Sequence, residues 1–126
     1  MYKNIAALVM EDNDDWREIF TEALKEFGIG GVDSVAYMSG AIELLKQKNY
    51  QILLLDTNER SGISGPKIAA RAIEMGQKPL ILAASSGEKN ELHWRNLGFE
   101  YTFVNKNTFD RQAVYKILKE KLNLSG

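Results

Sequence analysis

Glu11 and Asp12 are adjacent acids, Asp56 follows four consecutive apolar residues (Ile52 to Leu55), and Lys106 stands soon after Tyr101-Thr102-Phe103-Val104. Carboxylates gathered at one place repel one another unless a cation sits between them. Magnesium suits such a group, because it prefers hard oxygen ligands, takes one or two carboxylates and keeps further positions for water and phosphate oxygens. A lysine beside it adds a second positive charge. Acids, metal and lysine together can hold a transferring phosphoryl group while a carboxylate oxygen attacks it.

That chemistry requires residues far apart in the chain to meet on one rim, and the surrounding pattern predicts how. Ile5 to Met10 is apolar throughout and stops at Glu11; Ile52 to Leu55 stops at Asp56. Short runs apolar on both faces read as buried parallel strands. Leu80 to Ala84, entered through Pro79, and Tyr101 to Val104 read as two more, and Val32 to Ala36 as a short strand after a Gly30-Gly31 turn. Between them lie helical stripes. Trp16, Ile19, Phe20, Ala23, Leu24 and Phe27 recur at steps of three and four, with Asn13 or Asp14 able to cap the start and Gly28 the end. Helices are also expected at Gly40 to Lys48 (burying Ala41, Leu44 and Leu45) and from Pro66 to Gly76 (burying Ile68, Ala69, Ala72 and Ile73). A weaker one is expected at Glu88 to Leu97, and a last one buries Ala113, Val114, Ile117, Leu118 and Leu122.

Five strand-then-helix repeats predict an α/β fold, a five-stranded parallel sheet in the flavodoxin-like order 2-1-3-4-5 with helices on both faces. In such sheets ligands bind at the carboxyl ends of the strands where the order reverses, beside strands 1 and 3. Glu11, Asp12 and Asp56 are predicted to stand there.

The 126 residues suit a single domain spanning 1–126. With 16 basic and 17 acidic residues the net charge is −1, so neither a nucleic-acid face nor attraction to anionic membranes is expected. Without cysteine there is no disulfide or thiolate chemistry, and His93, the sole histidine, has no partner for a zinc site. No apolar stretch approaches membrane-spanning length, and the start of the chain is unlike a secretory signal, so a soluble cytoplasmic protein is the expectation.

Over essentially its full length the chain resembles the receiver domains of response regulators, on Glu11-Asp12, Asp56, Asn58, Gly65 and Lys106. The resemblance implies a phosphoacceptor signalling domain rather than an enzyme. Asp56 would accept phosphate from a histidine kinase or phosphotransfer protein. Glu11, Asp12, Asp56 and the backbone carbonyl of Asn58 would organise Mg2+, and Lys106 would pair with phosphoryl oxygens. A downstream protein would dock on the surface of the fourth helix, fifth strand and fifth helix, and a homodimer is compatible with this.

The chain also departs from the family. Arg60 replaces a proline usual four residues after the acceptor, and Asn107 replaces the one usual after the lysine, so the loop after the fifth strand is expected to be less constrained. Asp56 to Gly65 is one residue longer than the common spacing, with Glu59-Arg60-Ser61-Gly62 as the odd part. The family's switch hydroxyl falls on Ala84 when counted from Pro79 or Lys106, and on Ser85 when counted from Gly65; Ser85, also able to bind phosphate, is the preferred reading. Its aromatic partner would be Phe103.

Other readings compete. Asp56 could end a strand and bond a loop amide, Glu11 and Asp12 could complement a helix dipole, and Arg60 could pair with Asp56. His93 and Trp94 read as packing residues, with Trp94 a partner anchor if exposed. The alternative function is a pseudo-receiver, a phosphorylation-independent protein-interaction module. A dehalogenase-type phosphatase would need an acid where Asn58 stands, and a dinucleotide-binding enzyme would need a glycine-rich turn where Glu11 to Asp15 would repel a pyrophosphate.

Overall fold

A computed structural model describes residues 2–60 and 62–122, with the backbone alone at Glu88 and Lys89. Ser61, part of the odd loop, lies outside the described residues. The chain runs β1 (Tyr2–Met10), α1 (Asp14–Phe27), β2 (Ile29–Val35), α2 (Met38–Gln47) and β3 (Ile52–Asp56), then a small hairpin of β4 (Asn58–Glu59) and β5 (Gly62–Ile63). It continues with α3 (Gly65–Glu74), β6 (Leu80–Ser85), a 3-10 segment Glu88–His93, β7 (Thr102–Asn105), a 3-10 turn Lys106–Thr108 and α4 (Arg111–Lys121).

The main sheet has five strands in the order β2-β1-β3-β6-β7, all parallel. Counting only its own strands this is the expected 2-1-3-4-5. Side chains alternate across it with period two. Leu8, Met10, Leu53, Leu55, Ile81 and Ala83 pack toward α2 and α3, meeting Ala41, Leu45, Ile68, Ala69 and Ala72. Ala7, Val9, Ile52, Leu54, Leu82, Ala84 and Val104 pack toward α1 and α4, meeting Phe20, Leu24, Val114 and Leu118. The first helix is capped as expected, Asn13 Oδ1 accepting from the Trp16 backbone N–H at 2.9 Å.

Several expectations are corrected. Gly30 and Gly31 lie within β2 rather than in a turn. A Cβ on Gly30 would stand 2.1 Å from the Lys3 carbonyl oxygen, where the β1–β2 register shifts. Its bare backbone therefore serves close approach. The fourth helix is a 3-10 segment followed by turns, because Glu88 to Leu97 has no apolar stripe to hold an α-helix on the sheet. Ile73 and Ala113 are exposed, pointing away from the sheet on α3 and α4.

Gln77 shows how the loops at the amino ends of the strands are held. Its side chain is buried; Oε1 accepts from the Tyr50 backbone N–H at 2.8 Å and Nε2 donates to the Leu45 and Lys48 carbonyls at 3.0 Å each. Gln77→Leu keeps the bulk and removes all three bonds. A loss of about 2 kcal/mol is expected in urea unfolding, since buried polar groups left unpaired cost that much; a loss below about 0.5 kcal/mol would mean water replaces the amide.

Candidate functional site

The period-two alternation brings the chemistry together. Glu11 continues the parity of Ala7 and Val9, Asp56 that of Ile52 and Leu54, and Lys106 that of Val104. All three emerge at the carboxyl ends of their strands on the α1/α4 side. Lys106 Nζ lies 2.6 Å from Glu11 Oε2 and 3.4 Å from Asp56 Oδ1. Glu11 is 1% exposed and Asp56 8%. Asp12, half-buried, completes a trio whose ligand oxygens lie within 4.8 Å of one another.

The start of α1 lies directly beside these acids. Asn13 is the N-cap and Asp14 and Asp15 occupy the first turn. Glu11 is tied to the same helix start, its Oε1 accepting from the Asn13 N–H at 3.2 Å and its carbonyl oxygen from Arg17 Nη1 at 2.9 Å, while its Oε2 faces Lys106. The side chain of Lys106 also lies over the Trp16 ring, 5.7 Å from its centroid, and Trp16 meets Phe109 edge-on. The aromatic stripe of α1 thus walls the rim as well as filling the core.

Burial, then the charge of Glu11 and the carboxyl–carboxyl contact with it, push Asp56 up to about 7, against the pull of Lys106. Glu11 Oε2 is buried and accepts no well-directed hydrogen bond among the described residues. Its 2.6 Å neighbour, Lys106, approaches as a charge rather than along a bonding direction. Three acids on one rim with a single lysine among them make a hard-oxygen donor set that fits a divalent cation, and Glu11, Asp12 and Asp56 are the side chains that could hold it.

The rim belongs to an open cleft of about 390 Å³, also lined by Asn58, Arg60, Ser85 and Asn90. A larger hollow of about 680 Å³ opens at the other end of the sheet beside Lys78, Phe99 and Leu122. It contains no acid cluster of this kind among the described residues.

Ala84 pairs in register with Asp56 and is fully buried in the apolar layer beneath it. Ser85, one residue further and of the opposite parity, carries the hydroxyl that lines the cleft; it is 2% exposed and pairs with Asn105. Phe103 is half-buried opposite Ala83 and packs on the α2/α3 side of the core.

The long loop after Asp56 is structured. Asn58 pairs with Ile63, and Glu59 with Gly62, forming the β4–β5 hairpin. Buried Glu59 accepts from the Met38 N–H at the start of α2, and Arg60 stacks on Tyr37, 4.4 Å from the ring centroid. No Arg60–Asp56 ion pair occurs among the described residues; the Arg60 guanidinium lies on the Tyr37 ring instead. At the neck, the Thr57 carbonyl accepts from both Ser64 and Gly65 N–H. A Cβ on Gly65 would lie 2.3 Å from the Asp56 carbonyl oxygen and 2.8 Å from the Trp94 ring, so glycine is required there.

Thr57, Trp94 and Asn90 were not singled out from sequence as site-forming residues. Trp94 is fully buried, which removes it as a surface anchor, and its Nε1 donates to Thr57 Oγ1 at 2.9 Å; Thr57 Oγ1 in turn donates to the Ala84 carbonyl. His93 beside it is exposed. The loop after β7 is more constrained than expected: Asn107 Nδ2 donates to the Ser86 carbonyl at 2.5 Å and its N–H to Asn105 Oδ1.

No model of a known protein family matches the chain, and no curated protein matches it by sequence. Solved structures do match. A two-component response regulator from Clostridium difficile is 17% identical, with 95% of this chain and 97% of that one covered and a TM-score of 0.81. A signal receiver domain of an HD domain-containing protein from Pseudomonas fluorescens is 14% identical over 98% and 89%, with a TM-score of 0.83. The receiver domain of a sensor histidine kinase from Pseudomonas aeruginosa, which has a magnesium ion coordinated in its active site cleft, is 18% identical over 94% and 98%, with a TM-score of 0.77. At these identities the likeness is one of fold: the chain has the receiver-domain fold.

Proposed function

We propose that the chain is a two-component receiver domain in which Asp56 is the phosphoacceptor. The observation that carries this reading is the buried Asp56 carboxyl set against Glu11, Asp12 and Lys106 on one rim. The donor is a phosphohistidine of a kinase or phosphotransfer protein. An Asp56 carboxylate oxygen attacks phosphorus in line; the new O–P bond forms as the N–P bond breaks, and the departing imidazole nitrogen keeps the electron pair and takes up a proton. Lys106 and the Ser85 hydroxyl hold phosphoryl oxygens. Glu11, Asp12, Asp56 and the Asn58 backbone carbonyl hold Mg2+, which when bound offsets the charge of the acids and of the incoming phosphoryl group.

On this reading the domain is a switch rather than an enzyme, cytoplasmic with its kinase. The added charge draws Ser85 and repacks Phe103, altering the face formed by the 3-10 segment, β7 and α4 that a downstream protein reads. The deciding measurement is intact mass after incubation with magnesium and a small acyl phosphate. Wild type is expected to gain one phosphoryl group, about 80 Da, and Asp56→Asn none. No adduct on wild type under forcing conditions would favour the phosphorylation-independent interaction module.

A further inference from the structure

The hydroxyl of Ser85 is held in an unusual way. A serine hydroxyl offers one hydrogen and two acceptor positions. Ser85 Oγ accepts from Asn90 Nδ2 at 2.6 Å and from the Gly87 N–H at 3.4 Å. Its acceptor capacity is thus taken by the segment that follows β6, while among the described residues its hydrogen has no acceptor. The direction of the Asn90 amide is set from the other side, because Asn58 Nδ2 donates to Asn90 Oδ1 at 3.4 Å. With Oδ1 facing Asn58, Nδ2 faces Ser85. All three side chains line the cleft of Asp56.

We propose that Asn90 is a positioning residue that holds the Ser85 hydroxyl as a hydrogen donor toward the Asp56 cleft. This rests on the phosphoacceptor reading and deepens it by naming what controls Ser85. An anionic oxygen arriving on Asp56 meets a hydrogen already aimed outward rather than a lone pair that must first rotate away. A hydroxyl without Asn90 is free to turn its hydrogen onto the backbone of its own loop, as serines do. Asn58 acts one step further back, by fixing which end of the Asn90 amide faces Ser85. The 86–90 segment is thereby tied to the same hydroxyl that senses the phosphoryl group.

The test is a double-mutant cycle read by calorimetric titration with beryllofluoride, a phosphoryl mimic, in magnesium. Asn90→Ala and Ser85→Ala are each expected to bind it about tenfold more weakly than wild type, the loss of one directed hydrogen bond to a charged group. The double variant is expected to bind no more weakly than Ser85→Ala alone. Asn90 lies in an irregular, half-buried segment, and unchanged urea midpoints verify that the fold survives. Unchanged affinity in Asn90→Ala, or losses that multiply in the double variant, would show that Asn90 does not act through Ser85. A phosphoryl adduct on wild type in that case leaves the phosphoacceptor reading standing. Absence of both the adduct and beryllofluoride binding in wild type defeats that reading, and this proposal with it.

Discussion

Lys106→Met is expected to destabilise the metal-free protein by about 3 kcal/mol at pH 8, because breaking a buried ion pair leaves charge without a partner. The lysine side chain is 9% exposed and faces two acids, one of them 1% exposed. Methionine keeps the bulk of the stem, so the loss is electrostatic. Two further signatures separate it from a packing defect. The loss shrinks as the pH falls and Asp56, raised to about 7, takes up its proton, and magnesium restores stability by binding the folded state alone. Chemical unfolding in chelator at pH 8 and pH 5, then in excess magnesium, reads all three. A loss under about 1 kcal/mol at pH 8 would place Lys106 among surface lysines.

The second large effect runs the other way. Asp56→Asn is expected to stabilise the metal-free protein at pH 8. An unfolded aspartate titrates near 4, whereas burial and Glu11 raise the folded group to about 7. Between those values the folded state binds the extra proton, so its stability falls as the pH rises through the window from about 4 to 7. Asparagine carries no such slope. The gap between the two pKa values bounds the gain at about 4 kcal/mol, and about 2 kcal/mol is expected once solvent at the cleft is counted. The gain disappears at pH 4 and is offset in wild type by magnesium. Equal stabilities at pH 8 would mean that the rim holds its acids without strain.

The two predictions share an origin in features that were partly legible in the sequence. Apolar runs that stop at acids located β1, β3 and the reversal of strand order, and the parity of each run carried Glu11, Asp56 and Lys106 to one side of the sheet. The β4–β5 hairpin was illegible because two-residue strands have no periodicity, and nothing local marks Glu59 as buried until the start of α2 is placed beside it. Asn90 was missed, and Trp94 read as a packing residue without its partner, for a related reason. Their segment has no helical stripe, so nothing local signals that one ring is fully buried against Thr57 or that one amide reaches Ser85. Gly30-Gly31 carried a turn signal, but what the position needs is contact distance between neighbouring strands.

The neck beneath the hairpin has a consequence for how the chain can be lengthened. Ser64 and Gly65 both donate to the Thr57 carbonyl, so the chain leaves and re-enters the fold at a single point immediately after Asp56. The hairpin between is closed at that base, and its first strand rests on the start of α2 through Glu59. Doubling such a loop costs only about 0.6 kcal/mol in closure entropy. The hairpin is therefore a port: a peptide tag or a small optical reporter spliced after Arg60 would hang beside the cleft without shifting the carboxyl group behind it, giving a direct readout of what arrives at that rim.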